Sequence, residues 1–266
     1  MLTYFGDWPG YNEISFTERY RLIRQAGFGG TLVWWDEEEQ GDFRTQQEYA
    51  RKAGLWVENM HASFDHANDF WQDDVAGQAV FDYYMMCVND CGAFEIPTVV
   101  MHTGCGGEPL PPISEISLRR FAQLIERAEQ KGVNIAIENQ CDPVKTQRAM
   151  DVLERFDSPR LGMCFDSGHA NVCALGAEML KQYGHRLKAL HLHDNHSAND
   201  EHLLPFEGNI DWPELMRKIE LLGYQGATTL EVGGDCGAIA PEEYLARAYE
   251  QAKKLDNLRR TTVCVN

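Results

Sequence analysis

The sequence predicts a single (β/α)8 TIM barrel, an α/β fold spanning residues 1–266. Three observations predict it. Short apolar, β-branched runs alternate with longer amphipathic segments along the whole chain, there are eight of each, and 266 residues suit one domain of about 250. A doubly wound open sheet is the alternative, but eight units exceed what most open sheets carry.

The strands read 2–5 (LTYF), 31–35 (TLVWW), 55–61 (LWVENMH), 96–102 (IPTVVMH), 133–139 (VNIAIEN), 160–166 (RLGMCFD), 187–193 (LKALHLH) and 227–232 (ATTLEV). Helical segments follow them near 15–27, 44–53, 70–93, 114–131, 143–156, 172–183, 211–223 and 241–258. Gly27, Gly54, Gly132 and Gly223 each close a helical stretch where a left-handed cap is wanted, and Pro143, Pro213 and Pro241 sit in opening turns, where a missing N–H costs little. The last helix carries Tyr244, Leu245, Ala248, Tyr249 and Ala252 at spacings of three and four, the face that packs on a barrel. Arg259 to Asn266 reads as an exposed tail. Thr103 to Pro112 is the longest irregular stretch, and an insertion after a strand shapes the mouth of a barrel. No Ser/Gly/Pro-rich linker divides the chain.

Composition narrows the function classes. The hydrophobic share of 44% and charged share of 24% belong to a soluble globular protein. No apolar run approaches the roughly 18 residues of a membrane span, and MLTYFGDWPG lacks the form of a signal peptide, so the expected location is cytoplasmic with no membrane partner. Twenty-four basic against 41 acidic residues gives a net charge of −17. That balance, with no Lys/Arg run longer than two, argues against nucleic acid as a partner. Eight scattered cysteines without a C-x-x-C pair fit buried thiols in a reducing compartment.

In a barrel of this kind the carboxyl ends of the strands line the active site. Here His61, His102, Glu138, Asp166, His191 and Glu231 close strands three to eight in succession. Alternation puts Ala189, His191 and His193 on one face, Ala136 and Glu138 likewise, and Thr229 with Glu231. Any one of these residues has an ordinary reading as a hydrogen-bonded core histidine or an ion-pair partner. Six at equivalent strand ends do not, because so much charge at a barrel rim is costly unless a cation neutralises it. His169, Asp200 and His202 lie in the loops just beyond. The resulting nine nitrogen and oxygen ligands suit a divalent metal as cofactor, zinc or manganese first, magnesium or cobalt after them.

The chain resembles the xylose isomerase-like TIM-barrel superfamily, which groups sugar isomerases and epimerases with the endonuclease IV (AP endonuclease family 2) enzymes. The resemblance is carried by MHAS around His61, VVMHTG around His102, IAIEN ending at Asn139, GMCFDSGHAN around Asp166 and His169, LHLHDN around His191, NDEHLLPFEGNIDW around Asp200 and His202, and TLEVGG around Glu231. It implies a four-ligand metal site of Glu138, Asp166, His191 and Glu231. It further implies additional metal ligands, His61 and His102 with a bridging Glu138 for a second ion, and His169, Asp200 and His202 for a third. His191 rather than His193 is the implied ligand, from matching His191-Leu192-His193-Asp194 to an H-x-x-D pattern. The family also allows a homo-oligomer, although no residue here marks an interface.

Two chemistries compete for this constellation. In the first, the protein is a metal-dependent sugar or cyclitol isomerase or epimerase: Glu138 and Glu231, three strands apart, act as catalytic base and acid on opposite sides of a substrate, and His169 hydrogen-bonds a substrate oxygen as charge develops. His193 and Asn139 adjoin the ligands as expected substrate contacts, and Trp8, Trp34, Trp35 and Phe64 offer apolar faces for a sugar, with core packing as their equally ordinary reading. In the second, a metal cluster hydrolyses a phosphodiester at an abasic site. Loops 6–14, 36–43, 62–70 and 103–117 hold no Lys or Arg, which favours a neutral sugar or cyclitol over a phosphate backbone. The segment DNHSANDEH departs from the E-x-N-x-R type of the ketose 3-epimerases, which leaves room for a dehydratase or lyase using the same proton abstraction. A binding protein that keeps the metal without turnover is a third class.

Overall fold

A computed structural model describes residues 1–6, 14–36, 43–107, 109–233 and 239–262. Eight strands, β1 (Leu2–Phe5), β2 (Gly30–Trp35), β3 (Trp56–Ala62), β4 (Thr98–Met101), β5 (Asn134–Glu138), β6 (Leu161–Asp166), β7 (Leu187–His191) and β8 (Thr228–Glu231), form one sheet in the order β7-β6-β5-β4-β3-β2-β1-β8. Every pairing between them is parallel, so all eight carboxyl ends reach the same rim. The two end strands meet through Leu192, one residue past β7. Its amide donates to the Thr229 carbonyl at 2.9 Å, and its carbonyl accepts from the Glu231 amide at 3.1 Å. The result is a nearly closed TIM barrel.

The helices are α1 (Phe16–Ala26), α2 (Gln46–Lys52), α3 (Val75–Ala93), α4 (Glu115–Lys131), α5 (Pro143–Arg155), α6 (Ser167–Val172), α7 (Leu175–Tyr183), α8 (Trp212–Leu221) and α9 (Pro241–Thr262). Local chemistry sets their ends. Ser15 caps α1 and Gly27 ends it at φ 113°, a conformation other residues resist. Ser114 and Ser117 form a reciprocal capping box on α4. Asp142 and Asp211 cap α5 and α8, each with proline in the first turn. Among the described residues, no helix is long and apolar enough to cross a membrane.

Outward-facing Ile135, Ile137, Leu161, Met163, Phe165 and Leu190 join the helices in the main core. Inside the barrel the side chains are small: Val100, Ala136, Cys164 and Ala189 form a separate buried cluster. Also buried is a polar knot, in which the Glu58 carboxyl accepts from Thr3 Oγ1 at 2.7 Å and Thr229 Oγ1 at 2.5 Å. Burial pushes the Glu58 carboxyl up.

Several boundaries differ from expectation. The third helix starts at Val75, because Ala67–Trp71 is a separate 3₁₀ turn and Asp74 supplies the cap. The sixth helical segment is two helices, the first beginning directly after β6 with Asp166 as its N-cap. Arg259 does not lie in an exposed tail. It belongs to α9, is buried, and donates to the Tyr224 carbonyl at 2.6 Å and Thr228 Oγ1 at 3.1 Å, tying the last helix to the start of β8. Arg259→Ala is therefore expected to cost about 2 kcal/mol of unfolding free energy, as for charged hydrogen bonds lost from a buried site. Denaturant titration measures it, and a change within about 0.5 kcal/mol, as at an ordinary surface position, would contradict this role.

Candidate metal centre

The carboxyl rim gathers the residues that the strand ends predict. One ligand atom each from Glu138, Asp166, His191 and Glu231 lies within 4.8 Å of the others. His191 Nδ1 is 2.7 Å from Glu231 Oε2 and 3.2 Å from Glu138 Oε2. Neither contact has hydrogen-bond geometry, and all three atoms are buried without a partner. Buried polar atoms this close, with no hydrogen bond aligned between them, fit a cation at their centre. Four donors, three of them carboxylates, are chemically apt for a divalent metal.

Two more groups meet the same distance criterion. One is His61, Glu138 and His191; the other is His169, His193, Asp200 and His202. In the second, Asp200 Oδ2 stands 3.1 Å from His169 Nε2 and 3.2 Å from His202 Nε2, while the His193 and His202 rings stack at 4.0 Å. His102 lies one residue past β4, with Nε2 3.6 Å from Glu138 Oε2, and does not complete either group.

Backbone chemistry explains how these side chains are held. Asp166 Oδ1 accepts from the His169 amide at 2.7 Å, so one carboxylate caps α6 and faces the centre, which is why the D-x-x-H spacing brings both residues to the site. Gly168 lets His193 approach: a Cβ there would lie 1.9 Å from His193 Cε1. Asp194 is buried and accepts from the amides of Phe206 at 2.9 Å and Ile210 at 3.2 Å and from Trp212 Nε1 at 2.8 Å. It thereby folds the segment that carries Asp200 and His202. His202 itself sits at φ 49°, rare for a non-glycine residue, with Nδ1 3.1 Å from the Glu231 carbonyl.

Electrostatics follow from burial against neighbours. Burial raises the Glu138 and Glu231 carboxyls, but the facing imidazoles outweigh it, holding Glu138 well below the usual range and Glu231 at about 2. Burial opposes charge on His191 and His169 too, yet adjacent acids lift both well above 6.5. For His202, Asp200, Glu231 and Asp166 prevail over burial and raise it to about 9. His102 goes the other way, lowered by burial. Without metal the rim is thus balanced by protons on imidazoles, which an arriving cation must displace.

The expected substrate contacts separate. Trp34 stacks on His61 at 4.8 Å and Phe64 on His102 at 4.6 Å, forming an aromatic wall at the rim. Trp35 is corrected: it is fully buried on the opposite side of β2, against Phe43, with Nε1 donating to Asp90 Oδ2 at 3.0 Å. Asn139 is also corrected. It is fully buried and spends its amide on the Asp166 main chain, two bonds of 2.9 Å, so its side chain is committed to holding Asp166 in place. His193 is fully buried among the ligands, 3.0 Å from Asp166 Oδ1. Trp8 lies outside the described residues. A cavity of about 400 Å³, lined by Phe5, Gly6, Asp200, Glu201, His202, Glu231, Val232 and Gly233, opens at this rim, with no Lys or Arg among those residues. Gln140 escaped sequence reasoning, because a lone amide carries no signal in itself, and Asp194 entered it only as the last letter of the H-x-x-D pattern, with no sign of the loop it holds.

Comparison with known proteins agrees with the barrel fold. Residues 20–255 match the model of the xylose isomerase-like TIM barrel family. An uncharacterized protein of Methanocaldococcus jannaschii is 32% identical over 207 residues, 72% of this chain and 69% of that one. The fructoselysine 3-epimerase of Shigella flexneri is 34% identical over 42% of this chain and 43% of its own, and an inosose dehydratase of Clostridium perfringens 24% identical over 49% and 51%. Among solved structures, the IolI protein with a bound zinc atom has a TM-score of 0.73 at 17% identity, covering 98% of this chain and 99% of that one; at that identity the likeness is one of fold.

Two outcomes are expected. Gly168→Ala should weaken zinc binding by about 10- to 100-fold by pushing His193 out of place, read by competition with a chromogenic chelator, and undiminished affinity would contradict this packing role. The raised His202 supports the folded state fully below its ordinary 6.5 and loses that support as pH climbs through about 9. Melting temperatures of metal-free protein should therefore fall across that interval, and His202→Gln should flatten the fall; an equal slope in the variant would assign it to other groups.

Proposed function

The chain belongs to the family of xylose isomerase-like TIM barrels, and from that premise we propose that it is a divalent-metal-dependent isomerase or epimerase of a neutral sugar or cyclitol. One observation carries the reading: Glu138 and Glu231, from opposed strands, bring buried, unpartnered Oε2 atoms to the same imidazole nitrogen. With Asp166 and His191 they would hold the metal. A bound divalent cation would polarise two adjacent substrate oxygens and so acidify the C–H beside them.

The protein's own groups then divide the remaining work. Glu138 and Glu231 are held ionised at neutral pH, which makes each a proton acceptor, and their opposed positions let one remove a proton from one face of a carbon while the other returns one. The imidazolium of His169 supplies positive charge beside Glu138, 3.4 Å away, as negative charge grows on the substrate. Trp34 and Phe64, edge to face at 81°, provide an apolar corner for the C–H face of a sugar and exclude water from that side. The net charge of −17 and the lack of Lys and Arg in the segments that follow β3 and β4, 62–70 and 103–117, weigh against phosphates.

Hydrolysis of a phosphodiester is the second reading, favoured by the His169, His193, Asp200 and His202 group, which offers a place for a further ion. Charge weighs against it.

Deuterium wash-in from heavy water, followed by mass spectrometry over a panel of ketoses and inososes, tests the first reading. Glu138→Gln or Glu231→Gln should lower exchange by about 10²- to 10⁴-fold while circular dichroism stays unchanged. Wild-type exchange in either variant rules out the two-carboxylate relay, and incision of an abasic duplex by the metal-loaded protein would move the assignment to the hydrolase.

A further inference from the structure

Gln140 follows Asn139 and lies buried against Gly104, in the segment that follows β4. Its Nε2 donates to the Gly104 carbonyl at 2.8 Å and stands 3.2 Å from His102 Nδ1. A carbonyl oxygen can only accept, so the Gly104 contact fixes which end of the amide is nitrogen. Turning the amide over would set Oε1 against the Gly104 oxygen with no proton between them. Facing an N–H, His102 Nδ1 has to accept. A neutral imidazole that accepts at Nδ1 carries its proton on Nε2.

Three other imidazoles of the rim are arranged the opposite way. His61 Nδ1 is 2.8 Å from the Ala62 carbonyl, His169 Nδ1 is 2.8 Å from the Asn139 carbonyl, and His202 Nδ1 is 3.1 Å from the Glu231 carbonyl. Each carbonyl keeps a proton on Nδ1 and turns Nε2 toward an acid, Glu138 Oε2 at 3.3 Å for His61 and Asp200 Oδ2 at 3.1 Å for His169 and 3.2 Å for His202, the side from which a metal would be met.

From this contrast the structure assigns His102 a role unlike that of its neighbours: it presents Nε2–H into the mouth as a hydrogen-bond donor to a substrate oxygen beside Glu138, with Gln140 as the positioning residue that fixes this tautomer. His102 Nε2 is buried and has no hydrogen-bond partner, so its donor is left for a ligand to satisfy. The Phe64 ring, nearly parallel at 7°, holds the imidazole plane. The oxygen it would meet is a hydroxyl or carbonyl of the sugar or cyclitol; that part rests on the proposed isomerase reading, whereas the tautomer does not. His102 is thereby removed from any cation site that the family resemblance would build from it with His61 and Glu138.

The test uses the full chain with isotope-labelled histidine and two-bond proton–nitrogen correlation spectra, with and without saturating zinc; His102→Gln assigns the signals. His102 is expected to be protonated at Nε2 and bare at Nδ1 in both states. Protonation at Nδ1, or loss of the Nε2 proton when zinc is added, would overturn the assignment. A carboxyl group at 140 can donate its one proton to Gly104 and still accept from Nδ1–H. Gln140→Glu should therefore move the His102 proton to Nδ1 and raise the zinc bound at saturation by one ion per chain, and an unchanged tautomer in that variant counts against the assignment. Should the variant not fold, the wild-type spectrum decides alone. No substrate enters these spectra, so they can fail while deuterium wash-in succeeds, and the reverse.

Discussion

Charge that has lost its water governs this structure. Glu138, Asp166 and His191 are almost wholly enclosed, and Glu231 nearly so, at a rim with no lysine or arginine among the residues lining its cavity. Removing a carboxylate from water costs several kcal/mol even after relaxation. Three such groups facing one another persist only if protons on the imidazoles, or a cation, neutralise them. Whichever does so sets the shape of the mouth, because Glu138 Oε2, His191 Nδ1 and Glu231 Oε2 have no other hydrogen-bond partner.

The scaffold answers with positional control. Asn139 clamps the Asp166 main chain, Asp166 caps α6, and α6 delivers His169. Asp194 gathers the loop that returns Asp200 and His202 to the rim, and Gly168 leaves the space into which His193 fits. The candidate ligands are thus oriented by partners that are themselves buried. Inside the barrel beneath them, Val100, Ala136, Cys164 and Ala189 pack as a cluster of small side chains, beside the polar knot around Glu58.

Much of this was legible in the sequence, and the limits have physical causes. Parallel strands all end at one rim, so a metal-capable residue at six successive strand ends could be read without knowing a single distance. The pair Trp34 and Trp35 shows where such reading stops. Both were expected at the mouth, yet adjacent residues on a strand face opposite ways, and only Trp34 reaches the rim. Asn139 resembled a substrate contact because its neighbour is a ligand, whereas its partners are main-chain groups that a sequence does not display. Arg259 reads as part of a tail because its acceptors, carbonyl and hydroxyl oxygens more than thirty positions away, leave no mark beside it in the sequence. The split of the sixth helix follows from Asp166 starting a turn earlier than the apolar period indicates. The direction of an amide, on which the state of His102 turns, lies beyond any pattern of letters.

The join at Leu192 has a further consequence. Seven neighbouring strand pairs share ladders, while β7 and β8 are held by the bonds of one residue, and His191 and Glu231 flank that join from either side. A cation shared by those two side chains would rivet the weakest seam of the cylinder shut. Loading the rim would then act on the whole circumference, slowing the breathing of the seam, whereas stripping it would leave a gap through which water could reach the threonines and glutamate sealed inside.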